Sequence, residues 1–113
     1  MTYLACPYWD DDPEIRQGRY ELVTELAGVY EARGVRVFSP ITHSHPIEQQ
    51  SGVHRDHSYW MPIDLKVLSI CDQLDVLMLD GWRESEGVSQ EIEFAEERGI
   101  HITYLDPAHY NLK

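Results

Sequence analysis

Ala32-Arg33-Gly34-Val35-Arg36-Val37 and Glu97-Arg98-Gly99-Ile100-His101-Ile102 share one grammar: the end of a helix, a glycine stop, then a strand. Glycine takes up the left-handed conformation that closes a helix without steric cost, and the branched residues after it suit a strand. The echo reflects shared local physics rather than a true repeat. It sets the fold class, because strands and helices that alternate with short connections form right-handed βαβ units and a parallel sheet.

The rest of the chain extends this alternation in both directions. Thr2-Tyr3-Leu4-Ala5, ended by Pro7, is a buried first strand. Asp10-Asp11-Asp12-Pro13 opens the first helix, since an aspartate caps free amides, proline fits the first helical position and acidic charge suits the positive end of the dipole. Ile15, Leu22, Leu26 and Val29 follow at helical spacing, with Val23, Ala27 and Tyr30 beside them, up to the stop at Gly34. Val35-Arg36-Val37-Phe38-Ser39 is the second strand, closed by Pro40. Residues 41–57 read as a long polar loop, a length that in a small domain marks a functional or mobile segment. A second helix is expected from about Ser58, with Pro62 in its first turn, through Leu65, Val67, Leu68 and Ile70 to about Asp72. Leu74-Asp75-Val76-Leu77-Met78-Leu79 is the third strand. A third helix over 85–98 carries Val88, Ile92 and Ala95 on its apolar stripe, and Ile100-His101-Ile102-Thr103-Tyr104-Leu105 is the fourth strand.

The 113 residues fit a single α/β domain spanning 1–113, with an apolar share of 42% that suits a folded globule. Twenty acidic against nine basic residues give a net charge of −11, which disfavours a nucleic-acid polymer and an anionic membrane as partners. A small ligand with a phosphate or two is still compatible, because a local site overrides the global field. Cys6 and Cys71 have no metal-type spacing and read as buried and reduced. Met1 to Pro7 lacks the charged start and apolar run of a signal peptide, and no stretch approaches the ~20 apolar residues of a membrane span, so the expected address is the cytoplasm.

Ligands of open parallel sheets bind beyond the carboxyl ends of the strands. Cys6-Pro7-Tyr8-Trp9, Ser39-Pro40-Ile41-Thr42-His43, Asp80-Gly81-Trp82-Arg83 and Asp106-Pro107 all fall there. Trp9 and Trp82 either stack on a planar base or simply cover the end of the sheet. In Ser85-Glu86-Gly87-Val88-Ser89-Gln90-Glu91, the helix start offers free amides and a positive dipole to an anion. Gly87 permits close backbone approach, and Glu91 lies one turn on, on the same face. The competing reading places Glu91, Glu93, Glu96 and Glu97 together on a solvated face.

Tyr3-Leu4-Ala5-Cys6-Pro7-Tyr8, Asp75 through Gly81, and Gly87 through Glu91 with Ile92 and Ala95 together resemble the nucleoside 2-deoxyribosyltransferase superfamily. The segments Gly81-Trp82 to Glu91 and Ser39-Pro40 to Ile47 resemble a small bacterial and phage branch of it. The resemblance implies a flavodoxin-like (Rossmann-type) three-layer sandwich with a four- to five-stranded parallel sheet, and cleavage of an N-glycosidic bond without a cofactor. It matches the nucleophile to Glu91, the tyrosine that aims it to Tyr3, and an acidic sugar ligand or proton donor to Asp64. The carboxylate would attack the anomeric carbon and form a glycosyl-enzyme, by the logic of retaining glycosidases. Where transferases of the family place an aspartate six residues before the nucleophile, this chain has Ser85, as in the related nucleotide N-hydrolases that hold a 5′-monophosphate. Arg83 would supplement that contact, and Tyr8, Trp9, His43, Trp82, Gly87 and Ser89 complete the expected substrate-binding set. Members of the family commonly complete their sites across subunits, which implies a homodimer or larger assembly.

His43, His45, His54 and His57 in the long loop admit a metal site, contact with the ligand, or plain solvated and capping roles. No metal is assigned, and the loop is expected to fold over the site as a lid. Two functions follow, ahead of a purely structural partner-binding domain that the polar, acidic surface disfavours. One is a nucleoside or nucleoside-monophosphate N-glycosidase or deoxyribosyltransferase. The other is a domain that binds a nucleotide-like ligand without cleaving it.

Overall fold

The computed structural model describes residues 1–112. Four strands, β1 (Thr2–Ala5), β2 (Val37–Phe38), β3 (Gln73–Leu77) and β4 (His101–Leu105), form one parallel sheet in the order β2-β1-β3-β4. Four helices connect them: α1 (Pro13–Ala32), α2 (Pro40–Ser51), α3 (His57–Ser69) and α4 (Glu86–Arg98). A short 3₁₀ turn over Pro107–Tyr110 follows β4. This is the flavodoxin-like three-layer α/β arrangement, with four strands.

The alternation of side chains along each strand builds the layers. Tyr3 and Ala5 of β1, with Leu74 and Val76 of β3, pack under Leu68 of α3 and Val88 and Ala95 of α4. Leu4 of β1 and Leu77 of β3 face the other way, against Val23 and Leu26 of α1. Asp75 points to that second face and is buried there, where Tyr30 Oη and Gln73 Nε2 donate to its carboxylate. Glycines stop α2 and α4 in the left-handed conformation, at Gly52 (φ 73°) and Gly99 (φ 69°).

The expected long loop is mostly helix. Ser39 leaves the sheet after only two residues of β2, and its hydroxyl caps α2 by accepting from Thr42 N at 3.2 Å, with Pro40 in the first turn. α2 hides in the sequence because its buried face is made of Pro40, Ser44 and His45 rather than aliphatic residues, and because Pro46 interrupts it. Only residues 52–56 remain as a connector. α3 begins at His57, capped by Asp56, one residue earlier than expected, and Pro62 is its sixth residue, exposed in the helix interior rather than in the first turn.

The strand order fixes where the site forms. β1 is followed on one side by β2 and flanked on the other by β3, so the chain's direction across the sheet reverses between β1 and β3. The loops leaving these two strands diverge and open a crevice at their carboxyl ends.

Candidate active site

A cavity of about 690 Å³ fills that crevice. Its wall is contributed by the loop after β1, the first turns of α2, the connector and first two turns of α3, and the loop from Gly81 into α4. Arg19 of α1 ties the two loops together, donating to the carbonyls of Tyr8 (3.3 Å), Trp9 (3.0 Å) and Asp80 (2.8 Å). Gly81 sits against this clamp with φ +90°, where a Cβ would lie 3.0 Å from Arg19 Nη2.

Glu91 forms part of the wall from α4 and is 4% exposed, so it does not belong to a solvated glutamate face. The hydroxyl of the fully buried Tyr3 donates to Glu91 Oε2. Burial pushes Glu91 up to about 8, with the charge of Asp64 acting in the same direction and the Tyr3 hydrogen bond opposing both. Asp64 on α3, also buried in the wall, is pushed up to about 7 by burial. Tyr3 is raised well above the usual phenol range by burial and then by the charge of Glu91, so it stays a donor. The three residues come from β1, α3 and α4 and converge at the crevice, where two carboxyls hold protons near neutral pH beside a fixed phenol donor.

Tyr8, Trp9, Ser85 and Gly87 also line the cavity. A Cβ at Gly87 would meet Met61 Cε at 3.7 Å and Ser85 Oγ at 3.9 Å, ordinary contacts, so the glycine leaves room in the wall rather than relieving a clash. Ser85 caps α4 by accepting from Val88 N at 3.2 Å. Its oxygen accepts there, and its O–H remains a donor.

Four expected contact residues lie outside the wall. Trp82 packs on the core and on Tyr104 (5.5 Å between ring centroids), covering the end of the sheet, and the guanidinium of Arg83 lies 5.0 Å over its ring. Ser89 is exposed, two residues from Glu91 and so on the opposite side of α4. His43 is exposed on α2 beside Phe38 and Trp60.

The other histidines have separate partners. His45 is buried, stacks on Tyr20 and joins Tyr8 Oη (2.6 Å at Nδ1) to Gln17 Oε1 (2.8 Å at Nε2). The amide oxygen of Gln17 requires the His45 proton on Nε2, so Tyr8 donates to Nδ1. His54 pairs with Glu48 at 3.1 Å and His57 with Glu86 at 3.2 Å. Among the described residues, no three His, Cys, Asp or Glu side chains are grouped to hold a metal ion.

Sequence reasoning missed Arg19, Glu48, Trp60 and Met61. Arg19 shares a helical stripe with the buried Val23 and Leu26, and a cation on an apolar stripe is a legible signal. Trp60 and Met61 likewise stand four and three residues before Asp64. Glu48 carried no signal, because the helix that presents it was itself unreadable.

A protein-family model described as Domain of unknown function (DUF1937) matches residues 1–106. No curated protein matches the chain.

Proposed function

The chain belongs to the DUF1937 family, and from its own geometry we propose that it binds an unphosphorylated deoxynucleoside and cleaves the N-glycosidic bond through Glu91. The observation that carries this reading is the buried Tyr3–Glu91 pair facing Asp64 in the wall of the crevice cavity. An N-glycoside needs a carboxylate at its anomeric carbon and a proton for the departing base. Glu91 supplies the first, aimed by Tyr3, and Asp64 the second. The carboxylate bonds to C1′ as the C1′–N bond breaks, the electron pair leaves with the base, and the Asp64 proton neutralises it. Water or an acceptor base then releases the sugar from Glu91.

The resemblance to nucleoside 2-deoxyribosyltransferases supports this assignment, and the surroundings favour a ligand without a phosphate. Arg83 lies outside the wall, Arg19 is held by three carbonyls, and the guanidinium of Arg55, which does line the cavity, lies 5.1 Å over the ring of Tyr59. Glu84 and Glu86 stand in the wall beside the start of α4, where a phosphate would have to sit.

The protons on Glu91 and Asp64 also favour a second reading. A Glu91 that keeps its proton with ligand bound cannot attack, and the domain would then bind without cleaving. Incubation with 2′-deoxynucleosides and their 5′-monophosphates, followed by chromatography for free base, separates the two. The expected result is base release from the deoxynucleosides, abolished in Glu91→Ala. Its rate should follow a bell in pH. It rises as the coupled pair loses its first proton, near pH 7, and falls as the second leaves, the reactive form being the minor tautomer of the singly ionised pair, with Glu91 ionised and Asp64 protonated. Release that survives intact in Glu91→Ala sinks the nucleophile, and ligand binding with no release points to the sensor.

A further inference from the structure

Trp9 lines the cavity and is 53% exposed, yet its ring is not free. The guanidinium carbon of Arg16 lies 4.5 Å from the ring centroid, and the imidazole of His54 is stacked on it at 4.3 Å and 27°. A guanidinium and an imidazole thus both lie against one indole. Arg16 is anchored on α1 and donates through Nη1 to the carbonyl of Asp10. His54 belongs to the 52–56 connector and is 42% exposed.

The two oxygens of Glu48 hold the connector in different ways. Oε1 pairs with His54 Nδ1 at 3.1 Å. Oε2 accepts from Arg55 N at 2.7 Å and from Trp60 Nε1 at 2.9 Å. The backbone and Trp60 are therefore pinned independently of the imidazole. His54 can leave Trp9 by giving up its stacking and one pairing with Glu48, while the connector stays in place.

We propose that His54 is a plug: it occupies the face of Trp9 on which a planar heterocycle stacks, and ring binding exchanges the imidazole for the ligand ring. This rests on the reading of the cavity as a nucleoside site. The exchange makes apparent affinity the difference between two stacking interactions, and it multiplies the affinity of every ring ligand by the fraction of time the plug is away. It also favours wide, electron-rich rings over small ones, since only a ring that stacks better than imidazole displaces it.

The test is calorimetric titration of wild type, His54→Ala and Trp9→Ala/His54→Ala with 2′-deoxyadenosine, free adenine and 2-deoxyribose, after circular dichroism has established that each variant is folded. Removing the plug should tighten both ring-bearing probes by roughly three- to tenfold and leave 2-deoxyribose unchanged. The further loss of Trp9 should cancel the gain. Unchanged or weaker ring binding in His54→Ala overturns the plug, and weaker binding makes His54 part of the ligand wall instead. Failure of all three proteins to bind any probe overturns the plug together with the nucleoside reading. A gain for adenine in His54→Ala, with no base released from deoxynucleosides by any protein, sustains the plug and removes only the glycosidic chemistry.

Discussion

Replacing Glu91 with glutamine should stabilise this protein, and increasingly so as the pH rises. In the folded chain burial holds the Glu91 carboxyl at about 8, against about 4.5 for an exposed glutamate. Below the lower value both folded and unfolded chains bind the proton, and Glu91 costs nothing. Between the two values the unfolded chain gives up its proton while the folded chain keeps it. The folded state is thus proton-rich, and the linkage relation makes stability fall as pH rises, by on the order of 1.4 kcal/mol per pH unit for one fully titrating group. Above the folded value both states are ionised and the loss levels off. A domain of this size holds roughly 5–15 kcal/mol of stability in all, so the penalty accumulated by pH 8 is a large share of it.

Glutamine has the same shape, still accepts from Tyr3 and does not titrate. The assay is urea unfolding of wild type and Glu91→Gln at pH 5, 6, 7, 8 and 9, followed by tryptophan fluorescence. Every other titrating group, Asp64 and His45 included, is common to both chains and largely cancels in the difference. The advantage of Glu91→Gln should be small at pH 5, widen by about 1 kcal/mol or more per unit towards pH 8, and flatten beyond. Parallel curves for the two proteins from pH 5 to pH 8 would refute the reasoning, because they would mean that Glu91 is ionised in the folded state at ordinary cost.

Two further substitutions test the scaffold of the site. Gly81→Ala forces a side chain to φ +90° and against Arg19 Nη2, and should cost about 1–3 kcal/mol in denaturant unfolding; no loss would show that the clamp yields freely. Ser85→Ala removes the α4 cap and should cost about 1 kcal/mol while leaving any preference between a deoxynucleoside and its 5′-monophosphate unchanged; a selective loss of monophosphate binding would restore Ser85 as a phosphate ligand.

The fold was legible where local and global physics agree. Gly34 and Gly99 precede strands with φ 77° and 69°, and Tyr3, Leu4 and Ala5 alternate between two buried faces, as an apolar run in a central parallel strand must. α2 was illegible for the opposite reason. Its inward residues are Ser44 and His45, whose burial depends on partners distant in the chain: His45 needs Tyr8 and Gln17. Hydrophobic periodicity has no means of registering a helix whose buried face is held by polar pairs.

The same division runs through the site. Local pattern placed Glu91 one turn after Gly87 at the helix start but left a solvated face as its rival. Tyr3 and Asp64 entered only through the resemblance, because nothing local marks a strand tyrosine or a helix aspartate as partners of a distant glutamate. Trp9 and Trp82 were not separable, since both follow strands and both are tryptophans. The difference lies in what surrounds them. Trp82 has the core beneath it and Tyr104 beside it, and is consumed as a cover, whereas Trp9 has Arg16 and a histidine from the far side of α2 against it. That histidine is held by Glu48, on the one helix that local sequence conceals. The contact between Trp9 and His54 is thus made only after α2 has folded against α1, and local sequence does not record it.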